Sequence, residues 1–165
     1  VILVKAATSA TPPRFCHVVD VVSAGEMFKE VTARAEAADI VIMAAAVSDY
    51  TPLQVAVQKV KKSDGNLSLP MKRTLDILGY LGGNRREGQF LCGFSMETEN
   101  MIENSKAKLA KKHVDMIVAN NLKDEGAGFG TDTNLVTLIT PDDVHQYDLM
   151  SKEDVARTVV DRIIG

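Results

Sequence analysis

Short apolar runs alternate with amphipathic stretches along this chain, and that alternation admits few folds. Val1-Ile2-Leu3-Val4, His17-Val18-Val19-Asp20-Val21-Val22, residues 39–46, Phe90-Leu91-Cys92-Gly93-Phe94 and Asp115-Met116-Ile117-Val118-Ala119 each read as a strand. Between them lie helical patterns. Ser23 stands three residues before Glu26, a capping box that opens a helix running to about Ala38, with Met27, Val31 and Ala35 on its apolar face. Residues 75–82 read as a short helix. Glu99 to Lys112 reads as a longer one, with Ile102 and Leu109 a heptad apart. Ser151 caps the last helix, which carries Val155, Val159 and Ile163 at four-residue spacing. Strands buried on both faces and alternating with helices imply a parallel sheet between helical layers. The expectation is a Rossmann-like α/β three-layer sandwich with a parallel central sheet, forming a single domain over residues 1–165.

Two segments depart from the alternation. Val55-Ala56-Val57, then Lys59-Val60-Lys61-Lys62, Ser63-Asp64-Gly65-Asn66 and Leu67-Ser68-Leu69-Pro70-Met71 read as an added β-hairpin flap over about 55–73, its return strand weakened by Pro70. Leu135 to Ile139 and Val144 to Tyr147 flank Pro141-Asp142-Asp143 as a second hairpin. Residues 120–133 are a loop rich in Gly and Asn.

In an open parallel sheet, ligands bind beyond the carboxyl ends of the strands. The ends available here are Ala45-Ala46, Gly93-Phe94 and Ala119-Asn120. The first leads into Val47-Ser48-Asp49-Tyr50. Small residues followed by an aspartate allow close backbone approach and supply one fixed charge. The lysine cluster begins nine residues after Tyr50 and could neutralise a triphosphate. Asp49 equally suits a turn that caps its own backbone, and the lysines equally suit a solvated hairpin face. Lys108 and Lys112 share one helix face. They could clamp phosphates or complement the negative end of the helix. Asp76 suits the start of a short helix. Neither the GxGxxG nor the GxxxxGK[ST] fingerprint occurs, so any nucleotide must be held another way.

The balance of 19 basic and 22 acidic residues gives a net charge of −3, with no dominant basic face, which argues against nucleic acid. Cys16 and Cys92 form no CxxC pattern and read as two buried thiols. No run reaches membrane-spanning length and no signal-peptide pattern opens the chain, so the expected location is cytoplasmic and away from membranes.

The ordered set of Ala44 to Tyr50, Lys59 to Lys62, Gly93-Phe94 with Glu97-Thr98, Ala119-Asn120, and Gly128-Phe129-Gly130 leading to Asp132 and Asn134 resembles phosphopantothenate–cysteine ligases over essentially the whole chain. The lysine cluster is similar to the bacterial, CTP-dependent type. The resemblance implies a reaction in which 4′-phosphopantothenate is activated by CTP with Mg2+ as an acyl-cytidylate. Cysteine then displaces the nucleotide, a step of coenzyme A biosynthesis. It implies nucleotide contacts at Met43, Ala44, Ala45, Asp49, Leu75, Asp76, Ile77, Leu78, Phe94, Lys108 and Lys112. Lys59 would be the catalytic lysine on a closing flap. It also implies a homodimer and a functional link to a flavin-dependent phosphopantothenoylcysteine decarboxylase.

The family's first strand, its Asn-containing stretch and its Ser-Ser-Gly turn find no counterpart, and Leu75 replaces a proline. The residues named are therefore expected to form the nucleotide half of the site. The alternatives are a nicotinamide-dependent oxidoreductase and a non-catalytic nucleotide-binding module.

Overall fold

The computed structural model describes residues 1–61, 65–121 and 130–165. In chain order the elements are β1 (Ile2–Lys5), β2 (His17–Asp20), α1 (Ala24–Ala35), β3 (Ile40–Met43), β4 (Tyr50–Pro52), β5 (Met71–Arg73), α2 (Ile77–Gly83) and β6 (Phe90–Glu97). There follow α3 (Met101–Lys112), β7 (Met116–Asn121), β8 (Thr133–Asn134), β9 (Thr137–Ile139), β10 (Val144–Gln146), β11 (Met150–Ser151) and α4 (Lys152–Ile164). The chain divides into two compact units, Val1–Ala33 with Ala46–Ile77, and Arg34–Ala45 with Leu78–Gly165.

In the first unit β1 and β2 pair in parallel, Ile2 opposite His17 through Lys5 opposite Asp20. Lys5 and Asp20 also form an ion pair. The expected capping box starts α1: the Glu26 amide donates to Ser23 Oγ at 3.2 Å, and the Glu26 carboxylate accepts from the Val22 amide at 2.7 Å. Met27, Val31 and Ala35 are buried as their spacing predicts.

The flap differs from expectation. Its paired strands are β4 and β5, with Tyr50 opposite Arg73 and Pro52 opposite Met71. Val55–Val57 and Leu67–Leu69 are not strands. A strand is worth forming where one face is covered, and Val55 and Val57 are 84% and 96% exposed. Pro70, lacking an N–H, contributes only its carbonyl, which accepts from the Leu53 amide at 2.9 Å. The expected turn at Asp64-Gly65 begins outside the described residues, as do Lys62 and Ser63.

The second unit is a five-stranded sheet in the order β10-β9-β7-β6-β3. β3, β6 and β7 are parallel; β9 and β10 run antiparallel and form the expected second hairpin. The sheet is thus mixed rather than wholly parallel, and β1 and β2 form a sheet of their own. The sheet is mixed because β9 pairs antiparallel with β7, and the short 140–143 turn then returns β10 antiparallel to β9. One face packs Cys92, Met116, Val118, Val136 and Leu138 against Val155 and Val159 of α4. The other receives α2 and α3, completing three layers. Ser151 caps α4 as read, its Oγ accepting from the Asp154 amide at 3.1 Å. α3 starts at Met101 rather than Glu99 because Asn100 adopts the left-handed conformation, at φ 49°. Among the described residues no helix is long and apolar enough to cross a membrane.

Candidate functional site

Of the expected site residues, Asp49, Lys59, Leu75, Asp76 and Ile77 belong to the first unit. Met43, Ala44, Ala45, Leu78, Phe94, Lys108 and Lys112 belong to the second.

In the first unit the turn before β4 is closed by Ser48, not by Asp49. Ser48 Oγ donates to the Tyr50 carbonyl at 2.9 Å, and its main-chain carbonyl accepts from Thr74 Oγ1 at 2.7 Å. The Asp49 carbonyl accepts from the Thr74 amide at 2.9 Å, which ties the turn to the residue after β5. The Asp49 carboxylate has no hydrogen bond or ion pair among the described residues and is exposed. The backbone-capping alternative for this aspartate is therefore taken by its neighbour. Lys59 is exposed in the segment between β4 and β5. Leu75 is exposed, Asp76 directly precedes α2, and Ile77 is buried.

In the second unit β3 ends beside Gly93, while β6 and β7 run on to Glu97 and Asn121. Met43, the last residue of β3, stands opposite Gly93 in the parallel register. A Cβ on Gly93 would lie 2.3 Å from Leu78 Cδ2 and 3.3 Å from Ile117 Cδ1, so the glycine makes room for Leu78. Met43 and Leu78 thus approach one residue of β6, with Ala44 and Ala45 continuing beyond β3. Phe94 turns to the other face and packs against the α4-side core. Phe94 and Lys108 therefore address opposite faces of the sheet.

Lys108 reaches the carboxyl end of β6. Its ammonium donates to Ser95 Oγ at 2.8 Å and to Glu97 Oε1 at 2.8 Å. Ser95 Oγ donates in turn to Glu97 Oε1 at 2.9 Å, and Asn104 Nδ2 donates to Glu97 Oε2 at 3.2 Å. Burial alone would raise the Glu97 pKa. The hydrogen bonds from Lys108 and Ser95, the Lys108 charge and the Asn104 bond outweigh it and hold the carboxyl below its usual range. Lys112 lies one helical turn farther from that strand end, and its carbonyl packs against Gly82.

Glu97 belongs to the Glu97-Thr98 segment of the resemblance, which gives it no individual role. The available signal was its position two residues after Ser95, on the same face of a strand that ends there. Ala119 and Asn120 are buried at the end of β7. Gly128 and Phe129 lie outside the described residues. Cys92 is buried, and burial together with the nearby Asp115 charge pushes its thiol up to about 12. Cys16, expected to be buried, is only half-buried just before β2.

The family model for the C-terminal domain of DNA/pantothenate metabolism flavoproteins matches residues 1–165. The chain belongs to this family. It is 43% identical over 166 residues to the coenzyme A biosynthesis bifunctional protein CoaBC of Bacillus subtilis, covering 99% of this chain and 40% of that protein. Among solved structures it is similar to the C-terminal domain of a CoaBC protein, with a TM-score of 0.80, 35% identity and coverage of 98% of this chain and 71% of that one. It also shares its fold with a Cab2 variant in complex with phosphopantothenate-cysteine. There the TM-score is 0.65 at 16% identity, over 81% of this chain and 47% of that one. The chain thus spans less than half the length of the curated relative it matches.

Proposed function

We propose that this domain binds CTP and joins 4′-phosphopantothenate to cysteine. The observation that carries the reading is the Lys108 ammonium, held at two points at the carboxyl end of β6, where an open α/β sheet binds its ligand. The domain's kinship with CoaBC proteins supports the pathway. The fold shared with a Cab2 variant that binds phosphopantothenate-cysteine is consistent with the product.

In the proposed reaction, a carboxylate oxygen of 4′-phosphopantothenate attacks the α-phosphorus of CTP. The α–β phosphoanhydride bond breaks and pyrophosphate leaves. The cysteine amine then attacks the acyl carbon, CMP departs, and an amide forms. Negative charge gathers on the phosphorus oxygens and on pyrophosphate, and Lys108 would oppose it. The strand-end alanines Ala44 and Ala45 offer small side chains to a nucleotide. Asp49, with its carboxylate exposed, would accept a donor from the nucleotide or face its metal.

Mg2+ fits this set only as a companion of the triphosphate. Among the described residues no group of three or more histidines, cysteines or carboxylates could hold a metal ion. Magnesium is commonly bound through substrate phosphates, one or two carboxylates and water, and there it neutralises phosphate charge. The GxGxxG fingerprint of nicotinamide-dependent enzymes does not occur in residues 1–165. Homodimerisation and a link to a flavin-dependent decarboxylase belong to the same proposal. The relatives' description as bifunctional agrees with a second activity elsewhere on those longer chains.

Titration calorimetry with CTP and magnesium tests this function. Saturable CTP binding that is lost in the double variant Lys108→Glu, Lys112→Glu supports it, provided the melting temperature falls only slightly. Unchanged affinity in that variant overturns it.

A further inference from the structure

Glu97 presents an apparent contradiction. A lysine meant only to attract phosphate gains nothing from a carboxylate 2.8 Å from its ammonium, because the pair neutralises itself. Yet the structure spends several groups on keeping that pair together. Ser95, only 3% exposed, accepts from Lys108 and donates to Glu97, so the three groups close a triangle. Asn104 engages the second carboxylate oxygen and also donates to the Glu99 carbonyl at 3.0 Å. Both oxygens of Glu97 are thereby held, one from β6 and α3 together and one from the first turn of α3.

The consequence falls on Lys108. An ammonium has three N–H donors, and two are committed at 2.8 Å. The side chain is still 42% exposed, so its remaining N–H has access outward. A free lysine side chain samples many rotamers. Here that freedom is removed before any ligand arrives.

We infer that Glu97 is a positioning residue: with Ser95 and Asn104 it orients the Lys108 ammonium so that one N–H faces the reacting phosphates. The inference rests on the proposed nucleotide site. It adds that Glu97 exchanges part of the attraction for ground-state CTP for a correctly aimed donor in the transition state. Removing the charge at Glu97 should then separate binding from turnover. Attraction for the triphosphate holds or improves, while the rate falls.

The test is release of pyrophosphate from CTP and 4′-phosphopantothenate, with the 15N-lysine ammonium signal of Lys108 read in parallel. Glu97→Gln keeps the shape and one acceptor. It should leave the KM for CTP unchanged or lower, cut kcat roughly tenfold or more, and broaden the Lys108 signal. Asn104→Ala frees one carboxylate oxygen on an exposed face. It should give the same pattern more weakly, which keeps the inference testable if Glu97→Gln folds poorly. A role confined to holding α3 on β6 would lower the melting temperature without this split between KM and kcat. If Lys108→Met is impaired while Glu97→Gln and Asn104→Ala keep kcat within about twofold, the positioning role is overturned and the nucleotide site stands. If Lys108→Met itself binds and turns over CTP as wild type, both readings fall.

Discussion

The main-chain carbonyl of Lys112 occupies the space that a side chain on Gly82 would need. A Cβ there would stand 1.7 Å from that oxygen and 2.9 Å from its carbon. The end of α3 is thus seated on α2 by backbone contact, which cannot give way as a side chain can. Gly82→Ala should therefore destabilise the protein by roughly 1–3 kcal/mol through overpacking, although alanine is the better helix former. Gly83, with nothing within 4 Å of its Cβ position, is the control. Thermal melts should show a lowered Tm for Gly82→Ala and an unchanged or slightly higher one for Gly83→Ala. Equal Tm values for the two would contradict the packing.

Glu97 carries a pH signature. Its pKa is lower in the folded state than in an unfolded chain, because the bonds from Lys108, Ser95 and Asn104 outweigh the effect of burial. A depressed carboxyl contributes stability that is fully present above its unfolded pKa of about 4.3 and is lost as pH falls through the folded value. Acid unfolding followed by circular dichroism should therefore show a smaller loss of Tm below about pH 4 in Glu97→Gln than in wild type. Parallel pH curves for the two proteins would count against the network.

The two thiols should differ in reactivity. Cys92 lies in the α4-side core with its thiol pushed up to about 12, whereas Cys16 is half-buried. A thiolate-seeking reagent near pH 8 should label one cysteine rapidly in the native protein and the second only on unfolding. Peptide mapping should place the fast label on Cys16. Rapid labelling of Cys92 would show that the core opens more readily than its packing implies.

Lys59 is exposed in the segment between β4 and β5, where its loss removes charge without disturbing a core. Lys59→Gln should preserve Tm and slow pyrophosphate release from CTP and 4′-phosphopantothenate by on the order of a hundredfold, about 3 kcal/mol of transition-state stabilisation. A variant as fast as wild type would leave Lys59 as a solvated surface lysine.

What the sequence disclosed follows the range of the interactions. The Ser23–Glu26 and Ser151–Asp154 caps join residues three apart, and both form as read. The hairpin around Pro141 was legible because a short turn leaves one way back. The flap register was not, because alternation in Val55-Ala56-Val57 suggests a strand only if one face is covered, and none is. Asp49 was ambiguous because Ser48 competes for the same turn, and only the folded geometry shows which residue closes it. The tie from Lys108 to Glu97 and Ser95 spans 11 and 13 residues and depends on α3 folding back over β6. Helical spacing placed Lys108 on a face but could not say what that face meets.

Recognition of a cytidine triphosphate is the proposal from which the others follow. Calorimetric titration of the purified chain with CTP, ATP and NAD, each with magnesium, tests it most directly. The expected result is saturable binding of CTP, stronger than of ATP, and none of NAD. Binding of NAD, or no binding of either triphosphate, would contradict it.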